Sequence, residues 1–323
     1  LGKYSYAIML GVKSVSIRRA HNDPASVAHG LFSLGNCYTK IGNFSEARKC
    51  FSELLETSKI MDNKIGLAYA FDGIGYCDKE ETFYSRALEN HTQAFNIRNQ
   101  TGDLRGLGYS YISFGEIMEI IGDKKKCEEY FVKAHSVIKS IQDENLLSDV
   151  LRCLAINKIN SGDLSEAEKL INDSLEICRR INFTESIIKS GVVASNIMLL
   201  KGNYAESMKL AGDILKESLN SEMPESFIKS HILKAKARIK LNDSKTEVFD
   251  ELKKASGYSQ RMNYKYLKLL SDKTIIENAF FFDMPDCVLK NYIEDYENLL
   301  YDISGRIIDG KDKKIFLEKY GYN

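Results

Sequence analysis

Residues 34–51 read Leu34-Gly35-Asn36-Cys37-Tyr38-Thr39-Lys40-Ile41-Gly42-Asn43-Phe44-Ser45-Glu46-Ala47-Arg48-Lys49-Cys50-Phe51, and this stretch decides the fold. Leu31, Leu34 and Tyr38 fall at helical spacing, Gly42-Asn43 is a turn pair, and Ala47, Phe51 and Leu54 form the stripe of a second helix. The pattern then recurs. Gly35, Gly75 and Gly115 stand forty residues apart, and Ala155, Ser195 and Ala235 continue the series with small side chains. Seven residues after each comes a pair: Gly42-Asn43, Thr82-Phe83, Gly122-Asp123, Gly162-Asp163, Gly202-Asn203 and Asn242-Asp243. Only Thr82-Phe83 lacks turn chemistry. A period of this length with small residues at fixed places signals a helical solenoid, in which each repeat contacts its neighbours and no central core is needed.

The first complete unit runs from Asp23 to Asp62. Asp23 offers an oxygen to free helix N–H groups and Pro24 fits a first helical turn, so helix A starts there. Pro224 recurs at the same place five periods later, and Pro285 falls where the period starts a helix B. Helix B of the first unit starts at Phe44; its stripe returns as Tyr84, Ala87 and Ala94 and as Leu164, Ala167 and Ile171. Between units the turns read Asn22-Asp23, Asp62-Asn63, Gly102-Asp103 and Asp143-Glu144. A glycine inside helix A costs about 1 kcal/mol relative to alanine, so Gly35 implies close approach of helix B.

Leu34-Gly35-x-x-Tyr38 followed by Gly42-Asn43-Phe44-Ser45-Glu46-Ala47 and Phe51 resembles a tetratricopeptide repeat. Gly162-Asp163-Leu164-Ser165-Glu166-Ala167 and Gly202-Asn203-Tyr204-Ala205-Glu206-Ser207 show the same second-helix opening. The forty-residue spacing is similar to the long-helix branch of that family, found in bacterial regulators, peptide sensors and adaptors. The resemblance covers nearly the whole chain and implies an all-α, right-handed α-α superhelical solenoid. There are departures. The usual tryptophan position holds Leu31, Phe71, Tyr111, Leu151, Gly191 and His231, and the sixth unit carries Lys234, Arg238 and Glu247 at normally apolar or small positions. That unit either packs loosely or slips register.

The period divides the chain into residues 1–22, the second helix of a truncated repeat; 23–262, six repeats; 263–304, an atypical seventh pair; and 305–323, a C-terminal capping helix. Gly2-Lys3-Tyr4-Ser5-Tyr6-Ala7 aligns with Gly42 to Ala47, so the chain is expected to be part of a longer protein. The seventh pair is expected over Tyr264 to Phe282 and Pro285 to Ser304, and the final helix over Lys311 to Tyr320, as a cap or as a docking segment. The uncovered helix at the start makes self-association through the solenoid ends a further expectation.

Composition narrows function. The 45 lysines and arginines equal the 45 aspartates and glutamates, leaving no net field to attract nucleic acid or an anionic membrane. Seven cysteines follow no metal-ligand spacing, and a reducing cytoplasm is the natural compartment. No apolar run approaches the roughly 20 residues that span a bilayer. The histidines are dispersed, no phosphate loop, zinc motif or nucleophile elbow occurs, and no cofactor, metal or catalytic residue is expected.

What remains is the concave face, which the resemblance assigns to helix A. The first unit would present His29, Phe32, Ser33, Asn36, Thr39 and Lys40. The second would present Tyr69, Asp72, Tyr76 and Lys79, and the third Tyr109, Ile112, Glu116 and Glu119. Arg152 and Asn160, then Lys189 and Asn196, then Lys229, Lys236 and Lys240 continue the face, with lysines dominating its late part. Tyrosine gives large contact area at low entropic cost, and asparagine amides can bind a peptide backbone at both ends. The same tyrosines can instead pack between helices. The sequence therefore predicts a non-catalytic protein- or peptide-binding scaffold, the sensory or interaction arm of a larger regulator. The alternative is a regulatory segment whose signalling-enzyme or DNA-binding domain lies upstream.

Overall fold

A computed structural model describes residues 3–321, which form sixteen α-helices and no strand. Leu1 and Gly2, the expected opening turn, lie outside the described residues. The helices are Tyr4–Ala20 (α1), Pro24–Lys40 (α2), Phe44–Ile60 (α3), Lys64–Glu80 (α4), Tyr84–Thr101 (α5), Leu104–Ile121 (α6), Lys124–Ile141 (α7) and Glu144–Ser161 (α8). They continue as Leu164–Arg180 (α9), Thr184–Leu200 (α10), Tyr204–Asn220 (α11), Pro224–Lys240 (α12), Lys245–Arg261 (α13), Lys265–Glu277 (α14), Asp286–Gly305 (α15) and Gly310–Tyr320 (α16). Consecutive helices pack as antiparallel pairs, and the chain is an all-α solenoid.

One device sets the period. Left-handed backbone (φ > 0) occurs at Asn22, Gly42, Asp62, Thr82, Gly102, Gly122, Gln142, Gly162, Asn182, Gly202, Glu222 and Asn242, then at Asn263 and Asp283. Through Asn242 the spacing is an unbroken twenty residues. The next residue sends its N–H back to a carbonyl five positions earlier, as Asn43 does to Tyr38 at 2.9 Å and Phe83 to Asp78 at 2.7 Å. This closes one helix in a Schellman-type turn. That residue also caps the helix that follows: Asn43 accepts from the Glu46 N–H at 3.2 Å, and Asp23, Asn63, Asp103, Asp123, Asp143 and Asp163 act alike. Two residues thus end one helix and start the next.

Several expectations are corrected here. The fourth inter-unit turn is Gln142-Asp143, one residue earlier than expected, because Asp143 is the cap. Helix α14 stops at Glu277 rather than Phe282, and residues 278–283 form turns. The register does slip in the sixth unit, where Asn242 and Asn263 are 21 positions apart (263 − 242). Its charged residues are not loose, since Lys234 meets Glu251 at 3.1 Å and Arg238 meets Asp243 at 2.7 Å. Thr82 takes the left-handed conformation (φ +65°) without turn chemistry, at a cost of roughly 1–2 kcal/mol. Arg306 compensates by donating to the Glu81 carbonyl at 2.7 Å and to Thr82 Oγ1 at 3.2 Å.

The small-residue series has a common cause. Sixteen positions after Gly35, Gly75 and Gly115, helix B presents Phe51, His91 and Phe131, and each ring lies against its glycine. A Cβ on Gly115 would sit 2.3 Å from Phe131 Cε1. The B-helix ring can reach the inner layer only over a bare backbone.

The nearest-neighbour expectation for a solenoid fails, because the chain closes on itself. Lys40 at the end of α2 binds Glu185 at the start of α10, 145 residues away. Tyr4 donates to Glu185 at 3.3 Å, and the Ser5 N–H donates to Glu222 at 2.6 Å. The Tyr264 ring meets Phe44 edge-on at 5.3 Å, within a core cluster that joins the first two units to α12–α14. The last helix crosses over as well. Phe316 and Tyr320 pack beside Tyr84, Ile117 and Ile121, and Lys126 meets Asp312 at 3.2 Å. Helix α16 therefore bridges the turn end of the second and third units to the last helices of the array, where the Tyr320 and Tyr266 hydroxyls meet at 2.8 Å.

Replacing Gly115 with alanine is expected to lower unfolding free energy by about 2 kcal/mol, the usual cost of overpacking a filled core. The double variant Gly115→Ala/Phe131→Leu should recover part of that loss. Urea denaturation of the three proteins checks both statements.

Candidate binding cleft

The inner faces of α2, α4 and α6 enclose a cleft of about 480 Å³. Its floor is Phe51, a helix B residue that reaches the inner layer between two glycines. A Cβ on Gly73 would lie 2.4 Å from Phe51 Cγ, so the second glycine, outside the forty-residue series, lets the floor form. Phe32 stacks on Tyr69 at 4.6 Å, and Tyr76 and Tyr109 complete an aromatic wall. Asn36, Thr39 and Ser113 supply uncharged polar groups. A volume within about 300–1,000 Å³, aromatic walls and a few placed polar groups are the usual features of a ligand site.

Behind the wall lies a buried ionic network. Asp72 takes Nδ1 of His91 at 3.0 Å on one oxygen and the Arg98 guanidinium on the other. Arg98 is 2 % exposed and donates to Ser110 Oγ at 2.8 Å. A buried guanidinium is tolerable only with such partners. Gly106 makes room for it, since a Cβ there would meet Arg98 Nε at 2.4 Å. At the upper rim Arg105 lies over the Tyr109 ring and binds Asp143 at 2.6 Å. At the lower rim Lys40 binds Glu185, and the Lys79 ammonium sits 4.7 Å from the Tyr76 ring centre.

Below the cleft the inner helices converge on paired charges. Lys79 bridges Glu116 at 2.7 Å and Glu80 at 3.2 Å, and Arg152 stands 3.9 Å from Glu116. Glu225 and Lys229 pair at 2.6 Å beside a small cavity of about 100 Å³. Burial pushes the Glu116 carboxyl up, but Lys79 and Arg152 outweigh it and hold it at about 2. Burial likewise pushes the Cys153 thiol up to about 12.

The structure brings Asn36, Tyr69, Asp72, Tyr76 and Tyr109 together in the cleft. Glu116 and Arg152 belong to the charged centre beneath it. Asn160 lies apart, donating to Glu119 at 3.2 Å while its carbonyl accepts from Lys124 at 2.7 Å. Asn196 and Lys236 are half-buried on α10 and α12, away from the cleft walls, and burial lowers the Lys236 pKa. Ile112, expected on the open face, is core. The late part of the face is not a basic surface either, because Glu185 and Glu225 stand one turn before Lys189 and Lys229 and pair with them at 2.7 and 2.6 Å.

His91, Arg98 and Arg105 were missed, although the repeat marks the first two. His91 occupies the position of Phe51, Phe131 and Ile171, and Arg98 that of Ser58, Ile138 and Cys178. Asp72 also departs from its counterparts Phe32, Ile112 and Val192. Three polar departures on adjoining helices form one network. Among the described residues no cluster of metal-ligating side chains occurs, and no helix is long and apolar enough to cross a membrane.

No family model matches the chain, and no curated protein is similar to it in sequence. Solved structures share its fold. A Rap protein complexed with Competence and Sporulation Factor superposes with a TM-score of 0.67 at 13% identity, over 94% of this chain and 86% of that one. BtubC from P. vanneervenii superposes with a TM-score of 0.51 at 14% identity, over 68% of this chain and 92% of that one. These likenesses place the chain with tetratricopeptide-type helical repeats in fold.

The sign of the acid response follows from Glu116. Its carboxyl is depressed from an ordinary 4.5 to about 2 in the fold, so it contributes stability above about pH 4.5 that is lost as pH falls towards 2. Glu251 is raised by burial but brought to about 2 by His231 and Lys234, and titrates in the same window. The denaturation midpoint should therefore fall on acidification from pH 5 to 2.5. Glu116→Gln should be less stable at pH 7 and show a shallower, though not flat, acid decline.

Proposed function

We propose that the cleft between α2, α4 and α6 holds a short extended peptide or protein segment without chemically altering it. The observation that carries this reading is the meeting of Asn36, Tyr69, Asp72, Tyr76 and Tyr109, from three different repeats, around one aromatic-walled space. The likeness of fold to a Rap protein bound to Competence and Sporulation Factor supports it. Size supports it too. Arg105 and Lys40 stand at the 25th and 40th positions of the period, about 22 Å apart along the inner helices. Six or seven extended residues span roughly that length. Ser113 and Asn36 then face the backbone of the segment, while the rings take its side chains. In a larger cytoplasmic regulator the solenoid would serve as the sensing or interaction arm.

The test is retention of a degenerate hexapeptide pool on the immobilised protein, read by mass spectrometry. Tyr69→Ala and Tyr76→Ala are expected to weaken binding of the retained peptides by about 10-fold or more, as loss of a buried aromatic contact does. Asn196→Ala and Lys236→Ala, outside the cleft, should leave it unchanged. Equal losses from both pairs would remove the cleft as the site.

A further inference from the structure

Lys40 belongs to two structures at once. Its side chain forms part of the cleft wall beside Asn36, Thr39 and Tyr76, and its ammonium holds the Glu185 carboxylate from the opposite side of the solenoid. Glu185 is the hub of the closure, since it also accepts from Lys189 at 2.7 Å and from the Tyr4 hydroxyl at 3.3 Å. It joins α1, α2 and α10 through one carboxylate. A carboxylate delivered from 145 residues away thus holds a lysine that also lines the cleft.

Resting on the peptide reading above, we propose that Glu185 is an internal occupant of an anion subsite at the lower end of the cleft, and that a peptide bringing its own carboxylate to Lys40 displaces it and loosens the closure. Lys40 is the member of the hub most easily exchanged. Burial and the neighbouring Lys189 ammonium lower its pKa, and Glu185 and Asp149 do not fully offset them. Glu185 keeps Lys189 as a partner after Lys40 leaves, so its charge is not stranded. The other end of the cleft does not compete for the same group, because Arg105 is already held by Asp143 at 2.6 Å and stands about 22 Å further along the helix axes. Loss of the Glu185 hub leaves the outer part of the seam with only the exposed Ser5–Glu222 hydrogen bond, while the apolar cluster that joins the first two units to α12–α14 stays in place and limits the loosening to the cleft side.

Two measurements test this. The first needs no ligand. Spin labels at Ser45 and Thr184, exposed positions flanking the seam, report its width by double electron–electron resonance in a background with Cys37 and Cys287 replaced by serine. Wild type should give one narrow distance. Glu185→Gln should give a broader distribution shifted to longer distance. Far-ultraviolet circular dichroism checks that its helices are kept. An unchanged distribution in a folded Glu185→Gln protein overturns the proposal.

The second compares hexapeptide pools with free and amidated C-termini. Wild type should retain the free-acid pool about 10-fold better, and that preference should disappear in Lys40→Gln. Addition of the retained free-acid pool to the labelled wild type should broaden the distance as Glu185→Gln does. Equal retention of both pools by wild type overturns the anion subsite while leaving peptide binding intact. Retention of neither pool, by wild type or by Glu185→Gln, overturns both readings.

Discussion

A residue in the left-handed backbone region every twenty positions is the constraint on which the rest of this molecule depends. Each such residue folds the chain back, and its neighbour caps the next helix, so the first thirteen helices all run to seventeen or eighteen residues. Equal lengths keep the helix ends level, and level ends let one face of every A helix point inward. Glycine is the easy occupant of the turn, yet asparagine, aspartate, glutamine, glutamate and threonine also serve. Where threonine serves, a second element is recruited. Arg306 bonds the Thr82 turn and stacks on Phe83 at 4.3 Å, which ties the C-terminal segment to the second unit. The least favourable turn in the array is thus the one that the last segment holds.

Local rules of this kind are legible in a sequence. The turn pairs, the caps and the glycine opposite a ring sixteen positions later all repeat, so Gly35, Gly75 and Gly115 disclose their role without coordinates. Closure of the array does not repeat. Lys40 and Glu185 are 145 residues apart and neither departs from what an exposed inner position would carry. The same blindness made the late face look basic. Lys189 and Lys229 were placed on the inner surface, but their partners Glu185 and Glu225 sit one turn earlier, at the position where the third unit has Arg105. Phe32, Asn36, Thr39, Lys40, Tyr69, Asp72, Tyr76 and Tyr109 meet in one cleft because they come from three consecutive units. The rest scatter because the array curves round.

Closure also explains a composition that is otherwise odd for an interior. An open groove would leave Lys79, Glu80, Glu116, Arg152, Glu185, Lys189, Glu225 and Lys229 in water, where single ion pairs contribute about 0–1 kcal/mol. Closure removes them from most of that water, and each must then find a partner or destabilise the fold. They pair in alternation, and the Glu116 carboxyl at about 2 is the sign that attraction exceeds the cost of burial there. Such a centre selects one closed arrangement, because sliding any inner helix by a turn would oppose like charges. It also makes closure responsive to charge, which an apolar centre would not be.

The cleft and the closure are consequently one design problem. The aromatic wall of Phe32, Tyr69, Tyr76 and Tyr109 needs three adjacent A helices held at fixed spacing, and the buried Asp72–His91–Arg98 network fixes two of them from behind. The third, α2, is braced differently. Its C-terminal end is held through Lys40 to α10, a helix that is distant in sequence and outside the cleft. The wall formed by Phe32, Asn36 and Thr39 therefore takes its position partly from the closed state. A change at the seam must alter the cleft, and a ligand that prefers a wider or narrower cleft must act on the seam by the same free energy, since coupling between two sites is reciprocal.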